Sequence, residues 1–280
     1  FYCDFPTFAG KEKYREEYID ALIKEIKEKC SNYIIKTIFI GGGTPSYLET
    51  KELEKLLKVI KNLNLSNSSS SWVVSLFGTV RNGSIKNINI DKFSYNRDAN
   101  FNASFAASVL IDSKVSNVHV TNSTITNAAS AGLVFQAQGN STIENCSTDF
   151  TYSVLNSSRN GMAGGILVSP GGSSGSNATV TITGCSSTMN ASGNIFLGGG
   201  MVAYQNDELR KSVININNCG FSGSIISNKV GGYVAGLVGV FCNYSTTKKN
   251  YPKINIKNCA VRTRNLKVKH ENGAAGYMIA

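Results

Sequence analysis

A chain of 280 residues that is 41% hydrophobic and 16% charged can bury a sizeable core, in one domain or two. Its seven cysteines are an odd number with no CxxC pair, and His119 and His270 lie far apart, which argues against a disulfide framework and a metal site. The formal net charge of +10 is unevenly placed: residues 1–65 hold 11 Lys/Arg and 10 Asp/Glu, the remainder 17 and 8.

The first 65 residues alternate helix and strand signals. Tyr14, Tyr18, Ala21, Leu22 and Ile26 recur at helical spacing among Lys and Glu, which predicts an amphipathic helix from about Lys11 to Lys29. Ile34 to Ile40 is a β-branched, largely apolar run that reads as a buried strand, and it ends in Gly41-Gly42-Gly43-Thr44-Pro45-Ser46. A second helix follows, with Leu53, Leu56, Leu57, Ile60 and Leu63 on one face. Helix, strand, glycine turn and helix is the order of an α/β unit with a parallel sheet. Glycines at the carboxyl end of such a strand let a ligand approach the backbone, although a tight strand-to-helix turn needs them as well.

The wording of this segment is specific. Phe1-Tyr2-Cys3-Asp4-Phe5-Pro6-Thr7-Phe8-Ala9-Gly10-Lys11, followed by Thr37-Ile38-Phe39-Ile40-Gly41-Gly42-Gly43-Thr44-Pro45-Ser46-Tyr47-Leu48, resembles the radical SAM proteins of the oxygen-independent coproporphyrinogen-oxidase-like family, the HemW-type haem chaperones. The resemblance implies a [4Fe–4S] cluster held by three cysteines of a CxxxCxxC motif, and S-adenosylmethionine beside it. It matches Cys3 to the third cluster ligand and Tyr2 to the aromatic residue that lines the S-adenosylmethionine pocket. Gly42, Gly43 and Thr44 match the turn that receives the methionine end of that cofactor. The first two cluster cysteines would fall before Phe1, and Cys30, at the far end of the predicted helix, does not replace them. One thiolate is not a cluster site, since cubane iron–sulfur centres need three or four. The segment therefore reads as a truncated radical SAM remnant that does no radical chemistry by itself, and neither cofactor is expected in this chain.

Residues 66–71, within Leu65-Ser66-Asn67-Ser68-Ser69-Ser70-Ser71, read as a flexible polar linker. From 72 to 280 the chain repeats itself. Ile85-Lys86-Asn87-Ile88, Val115-Ser116-Asn117-Val118, Ile143-Glu144-Asn145-Cys146, Ile182-Thr183-Gly184-Cys185, Ile216-Asn217-Asn218-Cys219 and Ile256-Lys257-Asn258-Cys259 end 30, 28, 39, 34 and 40 positions apart. A second column of small-then-apolar phrases alternates with them, as in Gly132-Leu133-Val134, Gly165-Ile166-Leu167 and Gly200-Met201-Val202. Such short strands must stack on their equivalents in the next repeat. The Asn or Gly before each final residue predicts a fixed left-handed bend, and the final Cys is read as a small buried apolar residue. The expected architecture is mostly β, a parallel β-helix (β-solenoid) of about six coils, preceded by a short helix–strand–helix α/β fragment of a radical SAM barrel. The domains are 1–65, the linker 66–71 and the repeat domain 72–280.

The repeats are similar to the GLUG-like repeats of surface and adhesin proteins, which implies a binding or structural module outside the cell; the first segment implies a cytoplasmic origin. Eleven Asn-x-Ser/Thr sequons suit a surface protein. Lys248, Lys249, Lys253, Lys257, Arg262, Arg264, Lys267 and Lys269 crowd the last repeat; they guard a strand edge or offer a patch to a glycan or other anionic surface. Tyr251 is the one aromatic residue among them, too few for base stacking, so specific nucleic-acid binding is not expected, and the longest apolar run, Gly231 to Cys242, is too short to span a bilayer. The repeat aspartates Asp91, Asp98, Asp112, Asp149 and Asp207 are scattered, and the isolated histidines give no Ser/His/Asp arrangement, so no catalytic residues are expected. The leading reading is a non-catalytic surface or adhesion-type module fused to a radical SAM remnant. The alternative is a fragment or chimera of a radical SAM haem-chaperone-like protein.

Overall fold

A computed structural model describes residues 10, 12–30, 48–61, 73–96, 101–171, 178–206, 212–242, 253–263, 265–269 and 273–276. The chain divides into two compact units, Phe1–Ser71 and Trp72–Ala280.

In the first unit a 3-10 turn, Glu12–Tyr14, leads into α1, Arg15–Cys30, and α2 spans Thr50–Lys61. Acids open α1 (Glu16, Glu17) and bases close it (Lys27, Lys29), which complements the helix dipole. Its buried stripe is centred on Ile19, with Leu22, Ile23 and Ile26 half-buried, whereas Tyr14 and Tyr18 are exposed. The apolar face is thus rotated from the one that the tyrosines suggested, because a tyrosine ring can leave its polar end in water and Ile19 cannot. On α2, Leu56 is buried and Leu53, Leu57 and Ile60 are half-buried. Glu52 is 3% exposed; it accepts from the backbone N–H of Glu49 at 2.8 Å, capping α2, and pairs with Arg15 Nε at 2.8 Å. Arg15 also binds Glu49, and Lys55 binds Asp20 at 2.7 Å. The expected strand 34–40 and its glycine turn lie outside the described residues.

Among the described residues of the second unit every strand pairing is parallel, and strands pair with their equivalents in the next repeat. The first column stands in register as Ile85↔Val115↔Ile143↔Ile182↔Ile216↔Ile256. The second does so as Phe77↔Ala107↔Val134↔Leu167↔Val202↔Val238. The expected fold class is nevertheless corrected. The protein is mostly β, but its strands form a parallel sheet curled into a half-barrel rather than a β-helix behind a helix–strand–helix fragment. The reason is geometric: the columns specify which residue stacks on which between neighbouring strands. That condition is met equally by a closed coil and by a twisted, curled sheet, so the columns do not encode closure.

The bend, by contrast, is where the Asn/Gly column put it. Asn87, Asn117, Asn145, Gly184, Asn218 and Asn258 all have positive φ, between 52° and 61°. The carbonyl before the bend accepts from two sides: those of Thr183, Asn217 and Lys257 take the backbone N–H of Asn145, Gly184 and Asn218 in the neighbouring strand at 2.9, 3.0 and 3.0 Å, and the side chain after the bend adds a second contact. Cys146, Cys185, Cys219 and Cys259 each point Sγ at the carbonyl two residues back, at 3.1, 3.3, 3.1 and 3.3 Å. Serine does the same after Asp112 and Asn122: Ser113 and Ser123 donate to the carbonyls of Ile111 and Thr121 at 2.7 and 2.8 Å. The column cysteines are therefore donors as well as small core residues.

Inward residues make a dry core. Phe93, Phe105 and Phe150 stack edge to face at 5.4 and 4.9 Å between ring centres, and buried Tyr152 donates its hydroxyl to the Ala128 carbonyl at 2.7 Å. Gly200 is required by space, since a Cβ there would lie 2.1 Å from the Gly236 carbonyl and 2.3 Å from the Phe221 ring.

Candidate functional site

The residues matched by resemblance, Tyr2, Cys3, Gly42, Gly43 and Thr44, lie outside the described residues. So do Lys248, Lys249, Arg264 and His270. Lys253, Lys257, Arg262, Lys267 and Lys269 are exposed along the last strands. The described residues hold no group of three or more His, Cys, Asp or Glu able to bind a metal ion, and no described helix is long and apolar enough to cross a membrane. Cys30 ends α1, half-buried. The column thiols do not fit an iron–sulfur cluster either, because each already addresses a backbone carbonyl. Cys185 lies between Cys146 and Cys219; those neighbouring thiols, together with burial, push its own thiol up and keep its proton in place.

What the described residues do assemble is an outward face on strands Lys114–Thr126, Ser147–Val154 and Ser186–Gly193. Alternation buries one side chain and exposes the next, so that inward Phe150, Tyr152, Met189 and Ala191 separate outward Ser, Thr and Asn. These outward residues align across strands as Thr124↔Thr151↔Asn190↔Ser224 and Thr126↔Ser153↔Ser192. They also bind one another: Ser224 donates to Asn190 Oδ1 at 2.9 Å, and Ser153 to Thr126 at 3.3 Å. The strand spacing of about 4.8 Å sets the repeat of this lattice. Within these three strands the face carries Asp149 and His119 but no Lys or Arg beyond the bend at Asn117.

One corner of the face holds a hydrogen-bonded relay. Asn117 Nδ2 donates to Asn87 Oδ1 at 2.8 Å, leaving Asn117 Oδ1 against His119 Nε2, also at 2.8 Å. His119 Nδ1 lies 2.8 Å from Ser147 Oγ. The sequence predicts no Ser/His/Asp arrangement, and the third group here is Asn117 rather than an aspartate; stacking does bring His119 beside a serine 28 positions away. The available signal was the repeat itself: His119 and Ser147 each follow the last residue of their phrase, Val118 and Cys146, and so share a column. Next to it, Thr121 and Asn122 both donate to Asp91 Oδ1 at 3.0 Å.

Comparisons with known proteins bear on the first segment. The chain is 41% identical over 73 residues to the Heme chaperone HemW of Buchnera aphidicola subsp. Schizaphis graminum, covering 24% of this chain and 19% of that protein. It is 37% identical over 73 residues to the Heme chaperone HemW of Bacillus subtilis, 25% of this chain and 19% of that one. It is 33% identical over 105 residues to the Heme chaperone HemW of Synechocystis, 34% and 26%. The chain thus spans about a fifth to a quarter of the length of these relatives, and it carries a HemW-like segment. No family model and no solved structure matches.

Proposed function

We propose that residues 72–280 form a binding module for an extended, hydroxyl-rich polysaccharide, joined to the HemW-like segment. The observation that supports this reading is the outward lattice of Ser, Thr and Asn, aligned strand to strand and free of long cationic side chains. Such side chains have one or two rotatable bonds and already bond to one another, so a ligand that lies along them loses little side-chain entropy on binding. A polymer with hydroxyls at regular intervals can exchange hydrogen bonds with successive strands, and many weak contacts then add up along its length. The test is affinity electrophoresis through gels containing soluble polysaccharides, comparing the chain with Thr151→Glu and Asn190→Lys. Retardation of the parent chain, lost in both variants, is the expected result. Unchanged retardation of the variants, or loss only on replacing Lys253, Lys257 and Lys267 by Glu, would sink the lattice as the contact surface.

A second reading rests on the similarity to HemW: that the first segment belongs to a radical SAM haem-chaperone-like part. Anaerobic iron–sulfur reconstitution tests it. Near-stoichiometric iron with a visible charge-transfer band, abolished by Cys3→Ala, would support this reading, and absence of iron would leave residues 72–280 as the acting part.

A further inference from the structure

We infer that Ser147 is an activated hydroxyl, a nucleophile toward ester acyl donors, with His119 as its general base and Asn117 as the positioning residue. The inference stands on the relay geometry and not on polysaccharide binding. A serine hydroxyl is a poor nucleophile unless a base takes its proton as it attacks, and the base must present a lone pair rather than an N–H. An imidazole carries its single proton on either nitrogen, and what each nitrogen faces decides which one. Here the choice is made from the neighbouring strand. Asn87 Oδ1 accepts from Asn117 Nδ2, so Asn117 turns its oxygen to His119 Nε2, which must donate. Nδ1 is left with its lone pair facing Ser147 Oγ at 2.8 Å, within the distance a general base needs. Hydroxyl, imidazole and acceptor thus stand in the order of a nucleophilic triad, with an amide where a carboxylate is commoner.

The residues are accessible, since Ser147 and His119 are half-buried and Asn117 is exposed. On the same outward face the charged neighbours are Asp91 in the preceding strand and Asp149 in the strand of Ser147. The step is an acyl transfer. Ser147 Oγ forms a bond to the acyl carbon, its proton passes to His119 Nδ1, and the alcohol portion leaves with the electron pair of the broken C–O bond. His119 then yields the proton to the leaving group or to solvent. The backbone N–H of Ser186, in the strand next to Ser147, donates to the Cys146 carbonyl at 3.0 Å and so is not free to stabilise an oxyanion. The expected outcome is therefore transfer of one acyl group to Ser147, without rapid turnover.

The test uses the full chain and p-nitrophenyl acetate, with the acetylated residue located by peptide mapping and the rate compared with Thr151 and Ser192 on the same face. General-base help predicts acetylation of Ser147 about 100-fold faster than of those hydroxyls. Ser147→Ala should remove the adduct, and His119→Gln should lower the rate to that of its neighbours. Asn117→Gly keeps the left-handed bend, because Gly184 already fills the equivalent place in another repeat. That variant should slow acetylation and give a mixture of imidazole tautomers by 15N NMR, and Asn117→Asp should restore the Nε2–H form. Acetylation of Ser147 no faster than of Thr151, or a rate indifferent to His119→Gln, would overturn the assignment. An unchanged tautomer and rate in Asn117→Gly would overturn the positioning role.

Discussion

Glu52 and Gly200 are both buried, and the two units of the chain differ as those two residues do. In the first unit a buried carboxylate is held by Arg15 and by the cap of α2, and further ion pairs run between α1 and α2. Among the described residues of the second unit the buried polar side chains are serine and threonine hydroxyls, among them Ser113, Ser123, Thr148, Ser187 and Ser227, and order comes from register and close backbone approach. One unit is specified by charge and the other by volume and backbone sign, so they should fail under different conditions.

The largest effect is expected where volume is the constraint. Gly200→Ala places a methyl against the Gly236 carbonyl and the Phe221 ring, and neither is the free end of a flexible side chain. The sheet unit should lose about 3 kcal/mol, the upper range for overpacking, in urea unfolding followed by circular dichroism. A loss within experimental error would mean that the repeats do not approach as closely as described. Next comes the bend. Asn145→Ala, at φ 52°, should cost about 1–2 kcal/mol, while Asn145→Gly should cost far less; equal losses would show that the side chain rather than the backbone sign matters.

Acid should separate the units. Burial raises the Glu52 pKa, but the Arg15 guanidinium and the Glu49 N–H outweigh it and hold the carboxyl below its ordinary value of 4.5. A depressed carboxylate contributes stability that is complete above the ordinary value and is lost as the pH falls through the lower folded one. The helical signal should therefore weaken below about pH 4.5 before the sheet signal does, and Glu52→Gln should flatten that dependence. Simultaneous loss of both signals would contradict separate stabilisation. The smallest effect belongs to the outer lattice, where Thr188→Val should change stability by no more than about 0.5 kcal/mol while weakening polysaccharide retention.

Particular residues show how far the sequence could be read. The stacking partners of Ile85 through Ile256 and the left-handed Asn column were legible because each requirement recurs at every repeat. Closure was not, since a curled half-barrel and a closed coil place the same residues side by side. The α1 face was misjudged at Tyr14 and Tyr18 because an amphipathic ring satisfies a helical period without being buried. His119 and Ser147 are legible only as a pair, since the column that places Val118 above Cys146 also places His119 above Ser147.

The most direct test of the binding account is a hydrogen–deuterium exchange footprint of the full chain with and without a retained polysaccharide. Binding through the lattice predicts added protection in 119–126, 147–153, 186–192 and 224–227, with 253–269 unchanged. Protection confined to 253–269, or none in the lattice strands, would contradict it and move the contact to the basic residues of the last repeat.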